Sequence, residues 1–196
     1  YQGAADCVID FSNHAATAGL LAYCTARKLP VVIATTGQTE EERAQIAQAA
    51  AEIPIFFSAN MSIGIAVLGD LAKKAAAAFP QADIEIIEAH HNQKLDVPSG
   101  TALLLAHQIQ QVRQDSTLLI GRHENGRRTA QEIGIHSLRF GAEVGMHEIL
   151  ISTGSETLTL KHKAESRSLF ADGALKAAAF LSGKPSGLYT MQDLVV

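Results

Sequence analysis

Long runs of any one kind are what these 196 residues lack. No stretch is apolar for the roughly 20 residues that a membrane-spanning helix requires, and the longest, such as residues 75–79 and 101–106, fall far short of it. No signal-peptide pattern opens the residues given. The net charge of -4 arises from 20 acidic and 16 basic residues with no extended run of either sign. That argues against a nucleic-acid or membrane-surface partner and leaves any affinity for anions to a local site. Cysteine is scarce: Cys7 and Cys24 make no disulfide framework. Their places in apolar segments suit small buried hydrophobes in a reducing compartment, so a cytoplasmic protein is expected. Internal repeats and low-complexity tracts are absent, and no Gly-x-Gly-x-x-Gly lies between a strand and a helix.

What is present is an ordinary globular balance, 47% hydrophobic and 18% charged, able to bury one substantial core or two small ones. In the first third, short β-branched runs alternate with helical patterns, the mark of parallel βαβ units. Strands are predicted over residues 7–11, 31–35 and 55–58, and a helix over 15–27. A second helix follows Thr39, where Glu40, Glu41 and Glu42 suit the positive end of a helix and Ile46, Ala47, Ala50 and Ile53 give it an apolar face. The expectation is α/β: a doubly wound Rossmann-type domain, N-terminally incomplete because the glycine-loop βαβ unit is not among these residues. An Ala-rich helix over 63–79 leads out of it. Beyond lie strand patterns over 83–89, 133–140, 148–152 and 157–162 and a helix over 101–113, an α+β domain with a mostly antiparallel or mixed sheet. Residues 119–131 read as an exposed polar loop, and 169–181 as an amphipathic helix stopped at Gly183 and Pro185. The domains expected are 1–61 with 168–196, and 62–167.

The densest group of reactive side chains runs from Glu88 to Thr101, between a predicted strand and a predicted helix. Pro98 forces Val97 out of the helical region, so the helix begins at about Ser99 with the amides of Ser99, Gly100 and Thr101 unpaired. Such amides bind carboxylate or phosphate. Gly100 has no side chain to block approach, and the hydroxyls of Ser99 and Thr101 add donors. Just upstream, His90, His91 and Lys94 place proton donors and positive charge beside this cradle. The pattern suits an anionic substrate that must be protonated. His90, His91 and Asp96 are metal-capable, but adjacent histidines rarely point at one ion and no cysteine or spaced histidine completes a zinc set, so no metal is expected. His14, His107, His123 and His136 read as structural or solvated.

The run Glu88-Ala-His90-His91-x-x-Lys94-x-Asp96-x-Pro98-Ser99-Gly100-Thr101-Ala resembles the signature of the 4-hydroxy-tetrahydrodipicolinate reductases, also called dihydrodipicolinate reductases. Further matches lie at residues 10–12, 34–37, 58–62, 139–148 and 162–167, so the resemblance covers essentially the whole chain. It implies that His90 is the acid/base residue, Lys94 a proton donor, and His91, Ser99, Gly100 and Thr101 substrate contacts. It implies that Ala34, Thr35 and Thr36 line a nicotinamide and that Ser58, Ala59, Asn60 and Met61 form a second cofactor-contacting segment. Alanine at Ala34 and methionine at Met61 depart from the glycine and aromatic that the family often has there. The implied reaction is hydride transfer from NADH or NADPH to a dehydrated cyclic imine dicarboxylate, in lysine and diaminopimelate synthesis. Residues 1–61 with 168–196 would then bind dinucleotide, and 62–167 would bind substrate and assemble a homotetramer. Arg167 becomes a candidate for substrate contact or closure. Without a glycine loop, these residues alone are expected to bind cofactor poorly and show little activity. Two other readings fit the sequence: a related two-domain oxidoreductase of another amino-acid pathway, and a non-catalytic assembly module.

Overall fold

The computed structural model describes residues 2–195, and the chain divides into two compact units. One unit runs from the chain start to Ile63 and resumes at Ser168; the other is Gly64–Arg167.

The first unit is built on strands β1 (Val8–Asp10), β2 (Val31–Ile33), β3 (Pro54–Phe57) and β9 (Gly187–Tyr189), all parallel and in the order β1-β2-β3-β9. Side chains alternate across a strand, so a sheet covered on both faces has strands buried at every position. β2 shows this: Val31, Val32 and Ile33 are all fully buried. Val31, Ile33 and Ile55 pack with Leu21 and Cys24 of helix α1 (Thr17–Arg27) and Ile46 of helix α2 (Glu40–Ala49). On the opposite face Phe56 meets Phe180 of helix α5 (Ser168–Leu181) edge-on, ring centroids 6.1 Å apart. The sheet is therefore doubly wound. Helix α2 starts as its sequence dictates, with Thr39 and Glu42 forming a reciprocal capping box. On α5, Gly173 sits where a β-carbon would lie 1.8 Å from the carbonyl oxygen of Met61, so only glycine lets the helix seat on that backbone. Of the cysteines, Cys24 is buried and Cys7 partly so.

Helix α3 (Ile63–Ala78) leads into the second unit, which holds β4 (Asp83–His90), α4 (Gly100–Gln110), β5 (Thr117–Ile120), β6 (Glu132–Arg139), β7 (Gly145–Ser152) and β8 (Thr157–Ala164). The sheet order is β5-β6-β4-β7-β8. β5, β6 and β4 are parallel, while β4, β7 and β8 are antiparallel. Ile84, Ile86, Ile133, Ile135, Ile149 and Ile151 form one face of the core, covered by α3 through Ile65, Leu68 and Ala72 and by α4 through Leu105 and Ile109.

The sheet is mixed, as expected, with β5 and β6 parallel to β4 and the β4-β7 and β7-β8 pairs antiparallel, a division that strand patterns alone do not carry. Two expectations need correction. Residues 119–131 are not all loop, since Leu119 and Ile120 complete β5 and pair with Gly134 and Ile135. Beyond α5, the sequence reading had no further strand, yet β9 extends the parallel sheet and is followed by α6 (Met191–Val195). A strand of three residues is too short to display alternation and is held by backbone pairing to β3. Among the described residues no helix is long and apolar enough to cross a membrane.

Candidate active site

Even-numbered residues of β4 share one face. Because Ile84 and Ile86 point into the core, Glu88 and His90 must point the same way at the strand's carboxyl end. Glu88 is fully buried, and a buried carboxylate survives only if paired and hydrogen-bonded. It is both. Arg139, at the end of the neighbouring β6, grips it with Nη1 2.9 Å from Oε2 and Nη2 2.7 Å from Oε1. Oε1 also accepts from the Ser99 amide at 3.1 Å, and Oε2 lies 2.6 Å from Nδ1 of His90. Burial works against the Glu88 anion, but the bonds from His90 and Arg139 outweigh it and hold the carboxyl well below the usual carboxylate range.

Helix α4 begins at this point. Ser99 is its cap, with Oγ accepting from the Ala102 amide at 3.2 Å. That Oγ also lies 3.2 Å from Nε2 of His147 on β7. The expectation of an unpaired Ser99 amide is thus corrected: its amide and hydroxyl both serve the protein interior. Gly100 is exposed and Thr101 half-buried at the helix start. Lys94, half-buried, places Nζ 2.8 Å from Oδ1 of the exposed Asp96. That carboxyl is below its ordinary value; burial opposes the shift, and the Lys94 contact overrides it. His91 is partly exposed, whereas His90 retains 9% exposure. The segment therefore brings His90, His91, Lys94, Ser99, Gly100 and Thr101 into one loop and helix start. Among the described residues, no cluster of three or more His, Cys, Asp or Glu is placed to hold a metal ion.

Sequence reasoning gave no role to Glu88, Arg139 or His147. The signal for Glu88 was in the register: a carboxylate in phase with buried isoleucines. His147 packs edge-on to His90, centroids 5.3 Å apart. Its Nδ1 is buried without a hydrogen-bond partner among the described residues. Burial first, then the nearby His90, pushes its pKa down to about 3. A histidine depressed in the fold is charged more readily when unfolded. Its contribution to stability is complete above the unfolded value of about 6.5 and is lost as pH falls toward the folded value. His147→Gln should therefore flatten the acid side of the stability curve, by up to about 1.4 kcal/mol per pH unit below pH 6.5. Denaturant unfolding of both proteins across that range measures it; parallel curves would show that His147 titrates alike in both states.

In the first unit, the segments after β2 and β3 sit at adjoining strand ends, where ligands of parallel sheets bind. The Ser58 amide reaches back to the Ile33 carbonyl at 3.3 Å. Thr35 is buried, with Oγ1 donating to Oδ2 of Asp10 at 2.7 Å. Thr36 and Ala59 are exposed and Ala34 is buried. Gly37, at φ 91°, turns the chain away from the strand end. Ser58 Oγ donates to the Asn60 carbonyl at 2.8 Å, and the Asn60 side chain caps the Ser62 amide. Met61 is placed differently, its side chain 2% exposed and in the interior. Each of these two loops places an exposed residue, Thr36 in one and Ala59 in the other, just beyond a strand end.

The chain thus has one unit with a parallel, doubly covered sheet and one with a mixed sheet. At the level of fold alone the chain matches an amine dehydrogenase from Mycobacterium smegmatis, with TM-score 0.61 and 9% identity over 95% of this chain and 75% of that one. The family model described as "Dihydrodipicolinate reductase, C-terminus" matches residues 64–195, and its N-terminal counterpart matches residues 1–61. The chain belongs to the dihydrodipicolinate reductase family. A 4-hydroxy-tetrahydrodipicolinate reductase from Caldanaerobacter subterraneus is 51% identical over 97% of this chain and 77% of that protein. One from Clostridium tetani is 50% identical over 97% and 75%. A dipicolinate-bound dihydrodipicolinate reductase from Paenisporosarcina sp. TG-14 superposes with TM-score 0.81 at 28% identity, over 97% of this chain and 74% of that one.

Proposed function

We propose that this chain carries out the family's reaction, with His90 and Lys94 as its acid/base groups and the start of α4 as its substrate cradle. The reaction is reduction of the dehydrated 4-hydroxy-tetrahydrodipicolinate imine to tetrahydrodipicolinate, a step of lysine and diaminopimelate synthesis. When bound, NADH or NADPH supplies the hydride. Ala34, Thr35, Thr36, Ser58, Ala59 and Asn60 would hold its nicotinamide end, with Met61 contributing backbone only.

The chain's own residues supply orientation and a proton. Gly100 and Thr101 take a substrate carboxylate through the positive, donor-rich end of α4. Ser99 supports them by capping that helix from inside. Lys94 and His90 stand upstream of this anchor, where a proton must be delivered to the reduced ring. His91 adds a polar contact at the rim. The single observation that carries this reading is the convergence of His90, Lys94 and an anion-binding helix start on one segment between β4 and α4. The reading also places a homotetramer on the unit's sheet and the protein in the cytoplasm. Support for assembly is the face away from the core, where Leu138 is 48% exposed.

Thr101→Val deletes a donor while keeping shape. A hydrogen bond to a charged group is worth roughly 1.5–3 kcal/mol, so KM should rise by about one to two decades with kcat little changed. Kinetics are to be read in a version joined to the upstream segment of the Caldanaerobacter relative. Unchanged KM and unchanged affinity for dipicolinate would put the cradle elsewhere.

A further inference from the structure

We propose that Glu88 is the positioning residue of this site: clamped by Arg139 and the Ser99 amide, it fixes the proton of His90 on Nδ1 and leaves Nε2 as the nitrogen that exchanges protons with substrate. This rests on the reading of His90 as an acid/base group and specifies which of its atoms acts.

A carboxylate has about four lone-pair positions. On Glu88 all are taken: Oε1 by the Ser99 amide and Arg139 Nη2, Oε2 by Arg139 Nη1 and His90 Nδ1. Three of these four donors are fixed in kind, since an amide and a guanidinium can only donate. The carboxylate is therefore anionic, and an imidazole nitrogen 2.6 Å from its Oε2 must bring a hydrogen with it. The opposite tautomer would set a bare nitrogen lone pair against a carboxylate oxygen at that distance.

The surroundings keep the other nitrogen open. An added β-carbon on Gly145, the first residue of β7, would lie 3.1 Å from Nε2, tighter than ordinary contact. Glycine there leaves the space on that side of the ring clear. The His147 ring, crossing at 73°, braces the imidazole plane. Glu88 is itself fully buried and does not touch substrate, so it acts through His90. The arrangement follows a general rule that the partner of one histidine nitrogen decides which proton the other carries.

The test is nitrogen-15 NMR of the imidazole ring in the 196-residue chain, with His90 assigned by its loss in His90→Gln. In its neutral form the His90 ring should show a protonated Nδ1 and a bare Nε2. Because Glu88→Gln alone leaves Arg139 without its carboxylate and threatens folding, the paired variant Glu88→Gln/Arg139→Met is the second arm. It should move the tautomer ratio toward Nε2–H by about tenfold, the effect of losing roughly one net hydrogen bond. A wild-type protein with Nε2–H dominant, or a ratio unmoved in the paired variant, overturns the proposal. The acid/base reading fails separately: if His90→Gln in the chimeric version leaves turnover intact while the tautomer still follows Glu88, the positioning stands and the catalytic role falls.

Discussion

Lys94→Ala is expected to lower kcat by about 10²–10⁴-fold with little change in substrate affinity. The reason is where Lys94 sits. Its ammonium is held 2.8 Å from Asp96, in the segment between His90 and the start of α4, where the proposed substrate cradle begins. A proton donor is needed chiefly as charge develops on the reduced ring, so its loss falls on the transition state. An anchoring lysine would instead raise KM and leave kcat standing. Steady-state kinetics of the Caldanaerobacter-extended version separates the two, and near-wild-type kcat would remove Lys94 from the chemistry.

Arg139→Leu should be the most damaging single change for stability. It leaves the Glu88 carboxylate buried with its charge uncompensated, and breaking a buried ion pair from one side costs about 3–5 kcal/mol. Exposure of Glu88 cannot relieve this, since the side chain is fully covered. The pH dependence follows from the sign of the Glu88 shift. With a folded pKa below the unfolded value, the clamp contributes fully above an unfolded pKa of about 4.3, and the contribution is lost as pH falls toward the folded value. Wild type and variant should therefore differ most at pH 7 and converge in acid. Urea unfolding at several pH values measures this; a difference below about 1 kcal/mol at pH 7 would rank the pair with exposed surface bridges.

Periodicity made the strands and helices legible wherever an element was long enough to repeat. α4 and β4 could be read because Leu105 and Ile109, or Ile84 and Ile86, recur on one face. β9 offered three residues, and β5 merged with the glycine-bearing loop after it. The His90 to Thr101 cluster was legible because its parts are adjacent in sequence. Its supports were not, because they arrive by pairing: Arg139 lies 51 residues from Glu88, and His147 lies 48 from Ser99. Parallel pairing of β6 with β4 sets Arg139 directly opposite His90, which is why the strand direction that the sequence left open decides how the site is held. Ser99 was misjudged for a related reason. Its helix position was clear, but the carboxylate that occupies its amide was invisible until Glu88 was known to face inward.

The most direct measurement is an amide NMR titration of the 196-residue chain with dipicolinate. Saturable shifts are expected at Gly100 and Thr101, with accompanying changes at His90 and Lys94, even if millimolar ligand is required. Saturation centred on any other segment, with those four residues unmoved, would contradict it.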